Sequence, residues 1–179
     1  MGKARPHELN FGSSGPGATD HLAGELFNLL TGTKMVHVPY KGGAPAMIDL
    51  VAGNVQIIFS TVSTAIGQIK SGRIRALAMT GTKRFVLMPE LPTIAEAGVP
   101  GFAVNNWYGV FVPAGTPKGV VARLNAELVK ILHMPDVKQR LLDSGIEAIS
   151  NAPEQFAAYI EAETKKWAQV VKDANVKVE

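Results

Sequence analysis

The residues best placed to do chemistry in this chain are glycines and small hydroxyl side chains at two strand-to-helix turns. The apolar Leu9-Asn10-Phe11 runs into Gly12-Ser13-Ser14-Gly15-Pro16-Gly17-Ala18-Thr19, and a helical pattern begins at Asp20. A second turn of similar build follows the run Val36-His37-Val38-Pro39, where Tyr40-Lys41-Gly42-Gly43 leads into another helical pattern near Pro45. The first N–H groups of a helix have no intrahelical partner and carry partial positive charge, so two such turns side by side suit a carboxylate or a phosphate. Ser13, Ser14, Gly15, Gly17, Ala18 and Thr19 form the first candidate cradle. Tyr40, Gly42 and Gly43 form the second, the glycines permitting close backbone approach and Tyr40 offering a hydroxyl. Ser60, Thr61 and Ser63 follow a third run, Val55 to Phe59, and present further hydroxyls. Lys41 reads as a solvated surface lysine.

Other chemistries fit less well. The first turn lacks the Gly-Lys-Ser/Thr ending of a nucleotide-binding loop, and its Gly-x-x-Gly-x-Gly order misses the dinucleotide fingerprint. Asp20 and His21 invite a triad with Ser13 or Ser14, but adjacent helical residues point about 100° apart and do not line up as base and orienter. His37 sits in an apolar run and reads as a hydrogen-bonded core residue, while His7 and His133 are isolated. No His/Asp/Glu set has metal-ligand spacing, and no cofactor is implied. The chain has no cysteine, which excludes disulfides and thiol catalysis. Its net charge is +3, with nine Lys/Arg against six Asp/Glu up to Pro113 and nine against nine beyond. This excess suits an anionic ligand but not a nucleic-acid-binding stripe. An α/β hydrolase using the Gly/Ser turn as an oxyanion hole, and a ligand-free oligomerising remnant, stand as alternatives to a binding module.

The elements that must position these turns alternate in period. With 46% hydrophobic and 18% charged residues the chain is globular, and short β-rich runs separated by helix-length segments predict βα units around a parallel sheet. The first helix should place Leu22, Leu26, Leu29 and Leu30 inward and stop at Gly32; the second should bury Met47, Leu50 and Val51 and stop at Gly53. Ile74 to Met79, Asn106 to Val112 and Ile146 to Ile149 are further strand candidates. Pro92 reads as the first residue of a short helix closed by Gly98. Beyond Gly101 helices dominate: one capped at Thr116 with Pro117 at its first position and an apolar stripe of Val120, Leu124, Leu128 and Ile131, and one opened by the capping-box spacing Asn151 to Glu154 and carrying Phe156, Ile160, Trp167, Val170 and Val171. Those apolar faces have too few strands to pack on, which predicts a homo-oligomer or a domain-swapped dimer. No run reaches transmembrane length, and the stretch Met1 to Pro6 has no apolar core of a signal peptide.

Taken in order, these motifs resemble the Bug family, the periplasmic solute-binding receptors of tripartite tricarboxylate transporters. The resemblance is carried by Gly12-Ser13-Ser14-Gly15 with His21-Leu22-Ala23-Gly24-Glu25-Leu26, by Val38-Pro39-Tyr40-Lys41-Gly42-Gly43-Ala44-Pro45-Ala46, by Asp49-Leu50, and by Ile69 to Ala78. It continues through Leu91 to Gly98, Trp107-Tyr108-Gly109 and Pro113 to Pro117. It implies an α/β fold like that of type II periplasmic binding proteins: one complete lobe, residues 8–105 as lobe 2, plus the C-terminal helical part of lobe 1, residues 106–179. The N-terminal part of lobe 1 and the signal peptide are expected to be absent. The resemblance further implies a non-enzymatic receptor for a small carboxylate, held largely by backbone groups, in the periplasm and in partnership with membrane transporter subunits. Trp107 and Tyr108 then read either as a cleft wall at the lobe junction or as plain core, with Trp107 the one expected at the ligand, and Ser60 stands where many family members are expected to carry an acidic residue.

Overall fold

The computed structural model describes residues 7–177. They divide into two compact units, 7–106 together with 167–177, and 107–166. The first is built on a three-stranded parallel sheet in the order β2-β1-β3, formed by β1 (Asn10–Ser13), β2 (Val36–Pro39) and β3 (Ile57–Ile58). Asn10 pairs with Val36 and Ser13 with Pro39 on one side of β1; Phe11 pairs with Ile57 and Gly12 with Ile58 on the other. Helix α1 (Thr19–Thr31) connects β1 to β2, α2 (Gly43–Ala52) carries the chain back past β1 to β3, and α3 (Val62–Lys70) follows β3. Because the two crossovers run in opposite lateral directions and such connections are right-handed, α1 and α2 cover opposite faces of the sheet.

Local sequence explains the boundaries. Gly32 and Gly53 close α1 and α2 in the left-handed conformation, at φ 68° and 82°. Thr61 caps α3, its side chain accepting the Thr64 N–H. The register of α1 against the sheet depends on Gly24, where a Cβ would overlap the ring of Phe11. Phe11 itself is fully buried. Beside it, Phe27, Phe59 and Phe102 form an aromatic cluster with centroid separations of 6.0 to 6.2 Å, extended by Ala23, Leu26, Val104 and Val170. Trp167 and Val170 thus bring the end of the last helix into this core.

The second unit contains α4 (Lys118–His133), α5 (Pro135–Asp143) and most of α6 (Pro153–Asp173). Trp107 stands edge-on to Phe156 and Tyr159 at 5.5 and 5.7 Å, and Phe111 lies 5.5 Å from Phe156. No residue between 107 and 166 is buried. Tyr108, Val110 and Phe111 are 75, 68 and 66% exposed, and Val120, Leu124 and Ile131 of the α4 stripe are nearly half exposed.

Several expectations need correction. Ile74 to Met79 is not a strand: only Met79 bridges, to Thr93, and Leu77 projects outward. Neither 106–112 nor 146–149 forms a strand, because no strand among the described residues lies alongside to complete a ladder. The segment after Pro92 is a turn rather than a helix. Thr93 and Glu96 cap it reciprocally, the Thr93 N–H donating to Glu96 Oε2 at 2.7 Å and the Glu96 N–H to Thr93 Oγ1 at 3.1 Å. Leu29, Leu30 and Val51 are exposed, so the inward stripes of α1 and α2 are narrower than predicted. Two caps sit one residue later than read: Pro117 caps α4 while Thr116 donates its hydroxyl back to Pro113, and Ala152, not Asn151, donates its N–H to Gln155 ahead of α6.

The Gly24 contact is testable. Gly24→Ala forces the α1 backbone off Phe11 and is expected to cost about 1 to 3 kcal/mol in urea unfolding. Gly67→Ala, in α3 with open space around the new Cβ, is expected to stabilise by about 0.5 to 1 kcal/mol. Equal effects of the two substitutions would contradict close packing at Gly24.

Candidate functional site

The carboxyl ends of β1, β2 and β3 lie at one edge of the sheet, and each leads into a helix start. Since the path leaves β1 to one side and returns to the other, this edge is the reversal point at which open parallel sheets form ligand crevices. The first two turns are laced together: Tyr40 N–H donates to Ser13 O at 3.0 Å and Gly42 N–H to Ser14 O at 2.9 Å.

Most side chains expected at the ligand are engaged in building these turns. Ser13 is fully buried, its Oγ 2.5 Å from His37 Nε2, accepting from Gly15 N–H and donating to Gly15 O. Ser14 donates its N–H and its hydroxyl to the Asp20 carboxylate, at 2.7 and 2.9 Å, and Asp20 also accepts the His21 N–H. Tyr40, expected to present its hydroxyl, instead donates it to Asp49 Oδ2 at 2.7 Å, which holds the Asp49 carboxyl below its ordinary range and pushes the phenol up. Ser60 donates to Thr61 O, and Thr61 Oγ1 lies within 3.0 Å of the Ser63 and Thr64 hydroxyls. Gly15, Gly17 and Gly42 have φ of 144°, 75° and 109°, a region costly for other residues, and Gly17 donates its N–H to His21 Nδ1 at 2.9 Å. Ala18 donates to Gly15 O at 3.2 Å. Trp107 lies in the second unit, packed on Phe156 and Tyr159.

What the turns leave without a protein partner is backbone. The N–H groups of Thr19 and Asp20 in α1, Gly43 and Ala44 in α2, and Val62 and Ser63 in α3 make no hydrogen bond among the described residues. Asp20, Ala44 and Val62 were not among the ligand residues expected from the sequence, and Ser63 was expected for its hydroxyl rather than its amide. Counting the first two positions after each cap would have found them. The Ser13–His37 contact was also unread; it becomes visible once β1 and β2 are paired in parallel, which sets His37 opposite Phe11 and two residues short of Ser13. Among the described residues no group of three or more His, Asp or Glu could hold a metal ion, and no helix is long and apolar enough to cross a membrane.

The imidazoles of His21 and His37 are stacked, 3.7 Å between centroids and 9° between planes. Burial and the neighbouring His21 lower the pKa of His37 to about 4, against a smaller upward pull from Asp20. Burial likewise lowers His21. The unfolded chain therefore binds more protons than the folded one below about pH 6.5, so stability present above that pH is lost as pH falls towards 4. Glu25, raised by burial, acts in the opposite sense. With the His37 ring partly solvated, the expected loss is about 1 to 2 kcal/mol. Urea midpoints recorded between pH 8 and 4 should fall in the wild type and fall less in His37→Phe; parallel profiles would refute the assignment.

A family model described as the tripartite tricarboxylate transporter family receptor matches residues 1–176. The chain is 43% identical over 170 residues to the UPF0065 protein of the tcbD-tcbE intergenic region of Pseudomonas sp. strain P51, covering 94% of this chain and 51% of that one. It is 34% identical over 159 residues to the corresponding protein of the clcB-clcD region of Pseudomonas knackmussii, covering 88% of this chain and 94% of the relative. Among solved structures it matches Rpa4515 of R. palustris with adipate at TM-score 0.87 and 38% identity, covering 98% of this chain and 58% of that one. It matches MatC of Rhodopseudomonas palustris with bound malate at TM-score 0.73 and 34% identity, covering 92% and 57%. Most of the curated relatives it matches are about twice the length that the chain spans. The fold is thus that of periplasmic solute-binding proteins, which are receptors and not enzymes. By this extent of agreement the chain belongs to the tripartite tricarboxylate transporter receptor family, the Bug proteins.

Proposed function

We propose that the chain binds a small carboxylate at the carboxyl edge of its parallel sheet. The observation that carries this reading is the convergence of three strand ends on helix starts whose first N–H groups are unpartnered: Thr19 and Asp20, Gly43 and Ala44, Val62 and Ser63. Backbone donors at helix starts favour a full negative charge and need no counter-charged side chain. The adipate and malate in two structural neighbours support the ligand class. In this reading Ser13, Ser14, Gly15, Gly17 and Ala18 shape the first cradle and Tyr40 and Gly42 the second. Ser60 and Thr61 shape the third, and Thr19 and Gly43 reach the ligand. Residues 8–105 act as lobe 2 and 106–179 as the returning part of lobe 1, with the last turns of α6 packed into the lobe 2 core. A periplasmic location and delivery to membrane transporter subunits follow from the same family assignment.

The test separates backbone from side chain. Gly42 has φ 109°, so valine there would strain the turn itself; Gly43 carries no such restriction, and a Cβ there would meet only Thr64 Cγ2, in ordinary contact at 4.0 Å. In calorimetry against a panel of mono-, di- and tricarboxylates, Lys41→Ala is expected to change affinity less than about twofold. Gly43→Val should abolish binding by placing a side chain where the anion sits. The wild-type affinity is expected on the order of millimolar, about 4 kcal/mol. Loss in Lys41→Ala with retention in a folded Gly43→Val would replace the backbone cradle with an ion pair.

A second observation favours association. Residues 107–166 bury no side chain while exposing Tyr108, Val110, Phe111 and Ile149, and exposed apolar patches on soluble proteins mark interaction sites. We infer self-association through this unit. Light scattering at micromolar concentration should report a mass above the 19.0 kDa protomer, reduced by Phe111→Glu. A monodisperse monomer that binds no apolar dye would contradict it.

A further inference from the structure

The turn after β1 is braced from below by a stacked pair of histidines, and one of them is held in a single protonation pattern. His21 is 6% exposed, and its Nδ1 accepts the Gly17 N–H at 2.9 Å. A nitrogen that accepts a hydrogen bond carries no proton, so the neutral ring bears its hydrogen on Nε2, the atom 3.7 Å from Glu25 Oε1. A second proton has only Nδ1 to occupy. Protonation would therefore remove the acceptor used by Gly17 and set two N–H groups head to head. Gly17, at φ 75°, directly precedes Ala18, Thr19 and Asp20, and so sets the direction in which the unpartnered Thr19 and Asp20 amides point.

The charged and titratable groups facing His21 are Asp20 and Glu25 from its own helix and His37 from β2, while β1 contributes Phe11; the Ser13 hydroxyl of β1 meets His37 instead. Burial outweighs the attraction of Asp20 and favours the neutral ring. The His37 ring, stacked at 3.7 Å, makes a second positive charge in the pair costly.

We propose that His21 is a positioning residue that holds the Gly15–Thr19 turn in its anion-receiving shape only while its ring is neutral, so that acidification unlatches the turn and weakens carboxylate binding. The binding half rests on the function proposed above. A cation beneath the turn would by itself attract an anion, so the sign of the pH effect separates a latch from simple electrostatics.

The experiment uses His21→Asn, whose side-chain oxygen can take the Nδ1 acceptor position without titrating, and His21→Phe, which keeps the ring but has no acceptor. The Gly17 amide resonance is followed by NMR against pH in the whole chain. It should shift in the wild type together with the His21 ring signals, below about pH 6.5. In His21→Asn it should stay at its high-pH position, and in His21→Phe near the low-pH position throughout. Adipate is then titrated calorimetrically into the wild type and His21→Asn at about pH 8 and about pH 5. Ligand protonation is common to both proteins, so the excess loss of affinity in the wild type reports the latch; it is expected to be about tenfold, within the usual range of coupling between linked equilibria. A Gly17 shift that tracks His21, with no adipate binding at either pH, supports the latch and sinks the binding reading. A Gly17 resonance indifferent to His21, or a wild-type affinity that rises in acid relative to His21→Asn, overturns the latch.

Discussion

The packing of Phe11 is the constraint on which the ligand edge depends. Its ring is fully buried in the central strand, with Gly24 of α1 against it, His37 of β2 stacked at 5.1 Å, His21 at 6.3 Å and Phe59 edge-on at 6.3 Å. One side chain therefore fixes the distance of α1 from the sheet, the rotation of α1 that brings His21 under the turn, and the placement of His37 beside Ser13. Interiors packed at crystal-like density have little freedom to shift one such contact alone. A change in how α1 sits on Phe11 would be felt at Gly17, two residues before the helix begins.

That arrangement was partly legible in the sequence. The turns, the two glycine stops and the parallel alternation are written in local chemistry: Gly32 and Gly53 adopt the left-handed conformation that glycine favours, and the βα alternation leaves few other topologies. The roles of individual hydroxyls were not legible. Whether Tyr40 faces a ligand or Asp49, and whether Ser13 meets solvent or His37, depends on how α2 and β2 lie in space, and nothing within a few residues of either encodes it. The same limit hid the histidine pair, whose members are sixteen residues apart in sequence and 3.7 Å apart as rings.

The failed strand predictions share one cause. Val110, Phe111 and Val112 have strong strand propensity, as have Ile146 and Ile149, yet propensity describes how a residue fits a pleated surface and not whether a neighbouring strand exists. β3, with β1 as its one partner, is ordered for only two residues. Outside any ladder among the described residues, Val110, Phe111 and Val112 are exposed. Strand pairing is a property that a segment cannot carry by itself.

Division of labour at the three turns has a consequence for selectivity. Side-chain hydroxyls and carboxylates of Ser13, Ser14, Asp20, Tyr40, Asp49 and Thr61 are bonded to one another or to backbone, which pre-organises the turns without touching a ligand. The groups left open are amides, identical in chemistry whatever residue carries them. Amides at helix starts select for negative charge and for the geometry of oxygens, not for the remainder of a molecule. On the proposed reading, a receptor built in this way would recognise the carboxylate as a class, and discrimination among carboxylates would have to come from shape and from the groups that face the far end of the ligand. On that reading, substitution of surface residues around the turns would retune which carboxylate binds while the packed network of Phe11, His21, His37 and Ser13 stays fixed.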